Sequence, residues 1–119
     1  MRPFVQAAAI ELKDGRVITA ESGPLLGSSA ALLLNVMKEV AGIDHELKLL
    51  PQVMIEPIQH TKIAYLHGRN PRLHTDEVLV ALSVLAQYDD NCRKALATLP
   101  SLKGCQMHST VMLRDVDLR

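Results

Sequence analysis

The chain has 119 residues, enough for one α/β domain spanning 1–119 with one core. Lys plus Arg and Asp plus Glu both number 13, a net charge of zero that speaks against a dedicated nucleic-acid binder and sets no charge barrier to self-association. The only aromatic rings of the Phe, Tyr and Trp type are Phe4, Tyr65 and Tyr88, too few for a platform that stacks bases or sugars.

No stretch is apolar over the ~20 residues that a bilayer demands. The start, Met1-Arg2-Pro3-Phe4-Val5-Gln6, lacks the apolar run of a secretory signal. Cys92 and Cys105 form no disulfide framework and read as reduced thiols of a cytoplasmic protein.

Val5 to Leu12 reads as a strand, because Asp14-Gly15 supplies the positive φ angles of a hairpin turn and Val17-Ile18-Thr19 returns. Glu21 to Pro24 is a loop. Ser28 is an N-cap candidate for a helix over Ala30–Val40, with Leu32, Leu33, Val36 and Val40 at helical spacing, Lys38 and Glu39 toward water, and Gly42 as the stop. The Gly27-Ser28-Ser29 start could cradle a phosphate with its free N–H groups, but plain capping by Ser28 is the stronger reading in the absence of a P-loop Gly-Lys-Ser/Thr.

Leu47 to Leu50 reads as a short strand ended by Pro51; the pattern turns helical from Gln52, with a short turn of helix and then a helix from about Pro57 to Tyr65. Thr75 suits an N-cap, with Asp76 and Glu77 in the first turn, where carboxylates complement the helix dipole. The helix body Val78–Ala86 is apolar all round save Ser83, which predicts an internal helix. Asp89-Asp90-Asn91 caps an amphipathic helix over Cys92–Leu99. Cys105 to Leu113 reads as the last strand, and the charged tail from Arg114 is expected to fray. The order β-β-α-β-α-α-α-β implies a mixed sheet of about four strands covered by helices.

Candidate chemistry concentrates before the apolar helix. His67, Arg69, Asn70, Arg72 and His74 lead into Thr75, and two arginines at a helix start suit a phosphate or carboxylate. The competing reading is that Asp76 and Glu77 neutralise them. His108, Ser109 and Thr110 on the last strand would join this site if the strand end and the helix start share one sheet edge. Successive strand residues point to opposite faces, so His108 is not aimed at Ser109 and Cys105 cannot share a metal with His108 without a bend. There is no G-x-S-x-G elbow, no H-E-x-x-H and no paired C-x-x-C. No catalytic residue, no metal and no cofactor is assigned.

The runs Gly68 to Leu79 and Leu102 to Val111, with Pro24 to Asn35 and Pro57-Ile58-Gln59, resemble a bacterial family of uncharacterised proteins built around a domain of unknown function. The resemblance covers nearly the whole chain. It implies that this is the C-terminal domain of a several-fold longer protein whose upstream part carries a P-loop-like stretch. It also implies a three-layer α/β/α domain with cytidine-deaminase-like topology, but H-x-E and P-C-x-x-C, the deaminase zinc signature, are missing.

The leading expectation is a binding or assembly domain of a larger cytoplasmic protein, contributing Arg69, Asn70, Arg72, His74, Thr75, His108, Ser109 and Thr110 to a site for a small anion. One alternative is an enzyme domain acting on a small phosphorylated or nucleotide substrate, with His74 or His108 as acid and base. The other is a structural oligomerisation domain. Nucleic acid and membrane are not expected partners; a second copy, or packing against an upstream domain, is.

Overall fold

The computed structural model describes residues 4–113, with side chains described for residues 6–105. The chain opens with strand β1 (Phe4–Glu11) and strand β2 (Val17–Glu21), paired antiparallel with Ala8 opposite Ala20 and Ile10 opposite Ile18. The connection turns as the Asp14-Gly15 pair predicts, although only Gly15 takes a positive φ, at 91°. Asp14 Oδ1 accepts from the Arg16 backbone N–H at 3.0 Å, and the Leu12 N–H donates to the Arg16 carbonyl at 2.8 Å to close the loop.

Helix α1 (Ser28–Ala41) crosses the sheet, and its sequence explains why it lies between two layers. Ala30, Leu34 and Met37 recur at i, i+4 and i+7, whereas Leu32 and Val36 sit about half a turn away, on the opposite face. Leu32 and Val36 pack with Ala8, Ile10, Leu12 and Ala20 of the sheet. Ala30, Leu34 and Met37 pack with Leu49, Leu50, Ile55, Leu73, Val78, Leu82, Cys92 and Ala95 from the remaining helices and their loops. Gly42 ends the helix in the left-handed region at φ 71°, where its N–H reaches the Glu39 carbonyl and the Ile43 N–H reaches that of Lys38.

Helix α2 (Gln52–His60) runs on into a π turn at Thr61–Tyr65. Helix α3 (Thr75–Leu85) and helix α4 (Asp90–Ala97) follow, then a 3₁₀ turn at Leu99–Leu102. Asp89 caps α4 by accepting from the Asn91 N–H at 2.8 Å. Strand β3 (Gln106–Leu113) pairs antiparallel with the free edge of β1, giving the order β2-β1-β3.

Several expectations are corrected. The sheet is antiparallel throughout the described residues, not mixed, and has three strands rather than about four; side chains are described for two of them, β1 and β2. The described helices pack on one face of it, with α1 against the sheet and the others beyond α1. This small α/β domain is therefore not the three-layer α/β/α arrangement of cytidine-deaminase-like topology. Leu47–Leu50 forms turns and bends instead of a strand: Leu49 and Leu50 are both buried, which a half-buried strand with alternating faces does not allow. Helix formation does start at Gln52, but α2 runs unbroken through Pro57 to His60 instead of splitting into a short turn and a second helix from Pro57.

The helix buried on both sides is α1, not α3. On α3 the stripe Val78, Ala81 and Leu82 is buried, but Val80 and Val84 are 66% and 52% exposed. With Met54, Pro57 and Ile58 of α2 they line an open apolar groove of about 540 Å³. Lys38 does not face water either: it is 9% exposed, and its ammonium donates to the carbonyls of His45 at 3.0 Å and Leu47 at 3.3 Å. Burial pushes its pKa down against the pull of Glu46 and Asp44. The tail from Arg114 lies outside the described residues.

Candidate functional site

The two helix starts that the sequence marks separately lie side by side. Leu26 and Leu73 form an isolated parallel bridge, and each precedes the first residue of its helix by the same interval, Ser28 for α1 and Thr75 for α3. The Gly27 N–H donates to the Leu73 carbonyl at 3.0 Å, and the Leu73 N–H donates to the Leu25 carbonyl at 2.9 Å. Because the bridged segments run parallel and each then enters a helix, both positive dipole ends open on one side of the strap. Leu73 is fully buried beneath it, which fixes the strap to the core.

Between these starts is a cavity of about 310 Å³, lined by Gln6, Gly27, Ser28, Ser29, Ala30, Asn70, Arg72, His74, Thr75 and Asp76. The first helical bonds run from the Ala31 N–H to the Gly27 carbonyl at 2.9 Å and from the Val78 N–H to the His74 carbonyl at 3.0 Å. The N–H groups of Ser28, Ser29, Ala30, Thr75 and Asp76 precede those bonds and have no backbone partner among the described residues. The Ser28 hydroxyl has no partner among the described residues either, although Ser28 is only 6% exposed. A buried hydroxyl normally finds a hydrogen bond, so this one is free to serve an occupant of the cavity.

Neither Arg69 nor Arg72 forms an ion pair with Asp76 or Glu77 among the described residues. Glu77 is committed elsewhere: its Oε1 accepts from Lys62 Nζ at 2.9 Å and from the His74 N–H at 2.8 Å. Burial works to raise the Glu77 carboxyl, but the His74 N–H and the Lys62 ammonium outweigh it and hold it below the usual carboxylate range. Lys62 also donates to the Arg72 carbonyl at 2.7 Å, and Asn70 Oδ1 accepts from the Arg72 N–H at 3.0 Å. The backbone of Arg72 is thus held at two points, while its guanidinium has no hydrogen-bond or ion-pair partner among the described residues. The Asp76 carboxylate at the rim has none either.

Of the residues singled out from sequence, Asn70, Arg72, His74 and Thr75 line the cavity. Arg69 is exposed and does not. The α3 cap is His74, whose backbone is extended at φ −93° and ψ 173°; Thr75 is the first helical residue and so cannot be the cap. The α1 cap is likewise Gly27, one residue before Ser28. The backbone of His108, Ser109 and Thr110 pairs with Ala9, Ala8 and Ala7, but their side chains lie outside the described residues.

Gln6, Gly27, Ser28, Ser29, Ala30 and Asp76 complete the lining and were not chosen as site residues from sequence. Ser28 and Ser29 carried a signal, the glycine-serine helix start. Gln6 carried none, because only the fold brings the beginning of β1 to this place. Among the described residues no group of three or more His, Cys, Asp or Glu side chains is placed to hold a metal. No helix among them is long and apolar enough to cross a membrane.

A family model described as "Domain of unknown function DUF1846, C-terminal" matches residues 3–119. A UPF0371 protein of Corynebacterium aurimucosum is 57% identical over 111 residues, covering 93% of this chain and 22% of that protein. A UPF0371 protein of Corynebacterium diphtheriae is 51% identical over 116 residues, 98% of this chain and 23% of the relative. One from Streptococcus thermophilus is 42% identical over 111 residues, again 93% of this chain and 22% of the relative. The chain therefore spans about a fifth of the length of these curated relatives.

Proposed function

The chain belongs to the family of C-terminal DUF1846 domains found in UPF0371 proteins, and on that premise we propose that it is a binding domain of a larger cytoplasmic protein, holding a small anion between its two helix starts. One observation carries this reading: the cavity of about 310 Å³ collects the unpaired N–H groups of α1 and α3 together with Arg72 and the buried, unpartnered hydroxyl of Ser28. Oriented N–H groups at helix starts stabilise negative charge, and a guanidinium forks onto two oxygens of a phosphate or carboxylate. Recognition of an anion is what the N–H groups and the guanidinium supply.

The test is a thermal-shift titration with inorganic phosphate against sodium chloride of matched ionic strength, with Arg72→Ala alongside. Saturation at about 100 times the Kd adds about 2.7 kcal/mol of stability, visible as a rise in Tm. Wild type is expected to shift and Arg72→Ala to lose most of the shift. Equal behaviour of the two proteins, or no shift in wild type, overturns the proposal.

A further inference from the structure

Asp76 is the feature that a simple phosphate site does not explain. Its carboxylate sits at the rim of a cavity rich in donors, and it forms no hydrogen bond or ion pair among the described residues. Glu77, its neighbour, differs in being locked to Lys62 and the His74 N–H. A free carboxylate beside a bound phosphate repels it, and it accepts hydrogen bonds but donates none at neutral pH. Beyond the α3 dipole, which a first-turn carboxylate complements, it gains a partner where the ligand brings a donor to it. Asn70 and Gln6 add side-chain amides to the same lining. The Asn70 oxygen is engaged by the Arg72 N–H, whereas the Gln6 side chain is unpaired among the described residues.

The cavity also excludes a large flat ligand. Its volume, about 310 Å³, lies at the small end of the roughly 300–1,000 Å³ that small-molecule sites span. No Phe, Tyr or Trp ring lines it among the described side chains: Tyr65 meets the His60 ring edge-on elsewhere, and Tyr88 is exposed beyond the end of α3. A nucleobase would have only the His74 imidazole and the Arg72 guanidinium to stack on.

We infer that the ligand is a small phosphomonoester with free hydroxyl groups, its phosphate held by the two helix starts, Ser28 and Arg72, and a hydroxyl donated to the Asp76 carboxylate. This rests on the anion-site reading above and specifies what the anion is attached to. The helix starts do not carry it alone. The buried, unpartnered Ser28 hydroxyl independently marks the phosphate end, and the unpartnered Asp76 marks the hydroxyl end.

The test is calorimetric titration of the chain with inorganic phosphate, glycerol 3-phosphate, glucose 6-phosphate and adenosine monophosphate, with and without magnesium. Asp76→Ala is run in parallel; Asp76 is exposed, so this variant is expected to keep its fold, checked by circular dichroism. The expected result is that at least one of the two polyol phosphates binds about tenfold tighter than inorganic phosphate, a difference of about 1.4 kcal/mol. Asp76→Ala should close that gap from both sides, weakening the polyol ester and strengthening inorganic phosphate. If phosphate binds but neither polyol ester binds tighter, or the gap survives in Asp76→Ala, the inference fails and the anion site stands. Tighter binding of adenosine monophosphate than of both polyol esters also overturns it. So does an absolute need for magnesium, which would make Asp76 a cation ligand. If no phosphate compound binds at all, the anion-site reading itself has failed.

Discussion

Replacing Leu73 with alanine tests the claim that the strap between the two helix starts is anchored in the core. Leu73 is fully buried and packs in the cluster with Ala30, Leu34, Val78 and Leu82. The change removes three carbons, worth about 2.4 kcal/mol at ~0.8 kcal/mol for each buried methylene. The cavity left behind adds to that, and fully buried Leu→Ala changes cost about 2–5 kcal/mol. We take about 3 kcal/mol. An unfolding entropy of ~2.1 cal/mol/K per residue gives about 0.25 kcal/mol/K over the 119 residues, so Tm should fall by about 12 °C. Val80→Ala is the control, since Val80 is 66% exposed and its truncation should cost less than about 0.5 kcal/mol. The assay is urea unfolding followed by far-ultraviolet circular dichroism, with thermal melts on the same samples. A cost below about 1 kcal/mol for Leu73→Ala, or an equal cost for Val80→Ala, would refute the packing argument.

Two further outcomes follow from the geometry. The carboxyl of Glu77 is held below its ordinary value of 4.5 in the folded protein. A depressed acid contributes stability above its unfolded pKa, and that contribution is lost as pH falls through the folded pKa. Wild type should therefore lose stability more steeply than Glu77→Gln on acidification from about pH 5 to about pH 3, measured by urea midpoints; parallel curves would contradict the Lys62–Glu77 tie. At Gly42, φ is 71° and an added Cβ meets nothing within 4 Å, so Gly42→Ala should cost about 1 kcal/mol through backbone strain alone. A neutral or stabilising effect in denaturant titration would show that the α1 terminus does not depend on that conformation.

Local chemistry in the sequence located most elements. Asp14-Gly15 marked the hairpin, Gly42 the end of α1 and Asp89 the start of α4, because each acts through its own backbone. What failed depended on neighbours distant in the chain. Leu47–Leu50 was read from a short apolar run, a signal that does not separate a strand from a buried loop. The apolar body of α3 suggested cover on all sides, but Val80 and Val84 face an open groove. The double-faced burial of α1 was present in the spacing of Ala30, Leu34 and Met37 against Leu32 and Val36, yet it reads as one broad face until two layers are seen to flank it. For the site, both helix starts were visible as separate stretches. Their juxtaposition was not, because the Leu26–Leu73 bridge joins residues far apart in sequence and leaves no local mark.

The position of α1 between the sheet and the other helices bears on how the chain comes apart. Its two faces belong to different apolar clusters, so neither cluster can open without exposing the helix that completes the other. The backbone amides in the middle of α1 should therefore exchange with solvent only when the entire domain unfolds, and so report its global stability. The π turn at Thr61–Tyr65 buries no residue and is tied to the rest through Lys62, so its opening loosens the α3 start and not α1. Residues on the two sides of α1, though they never touch, thus share one cooperative transition.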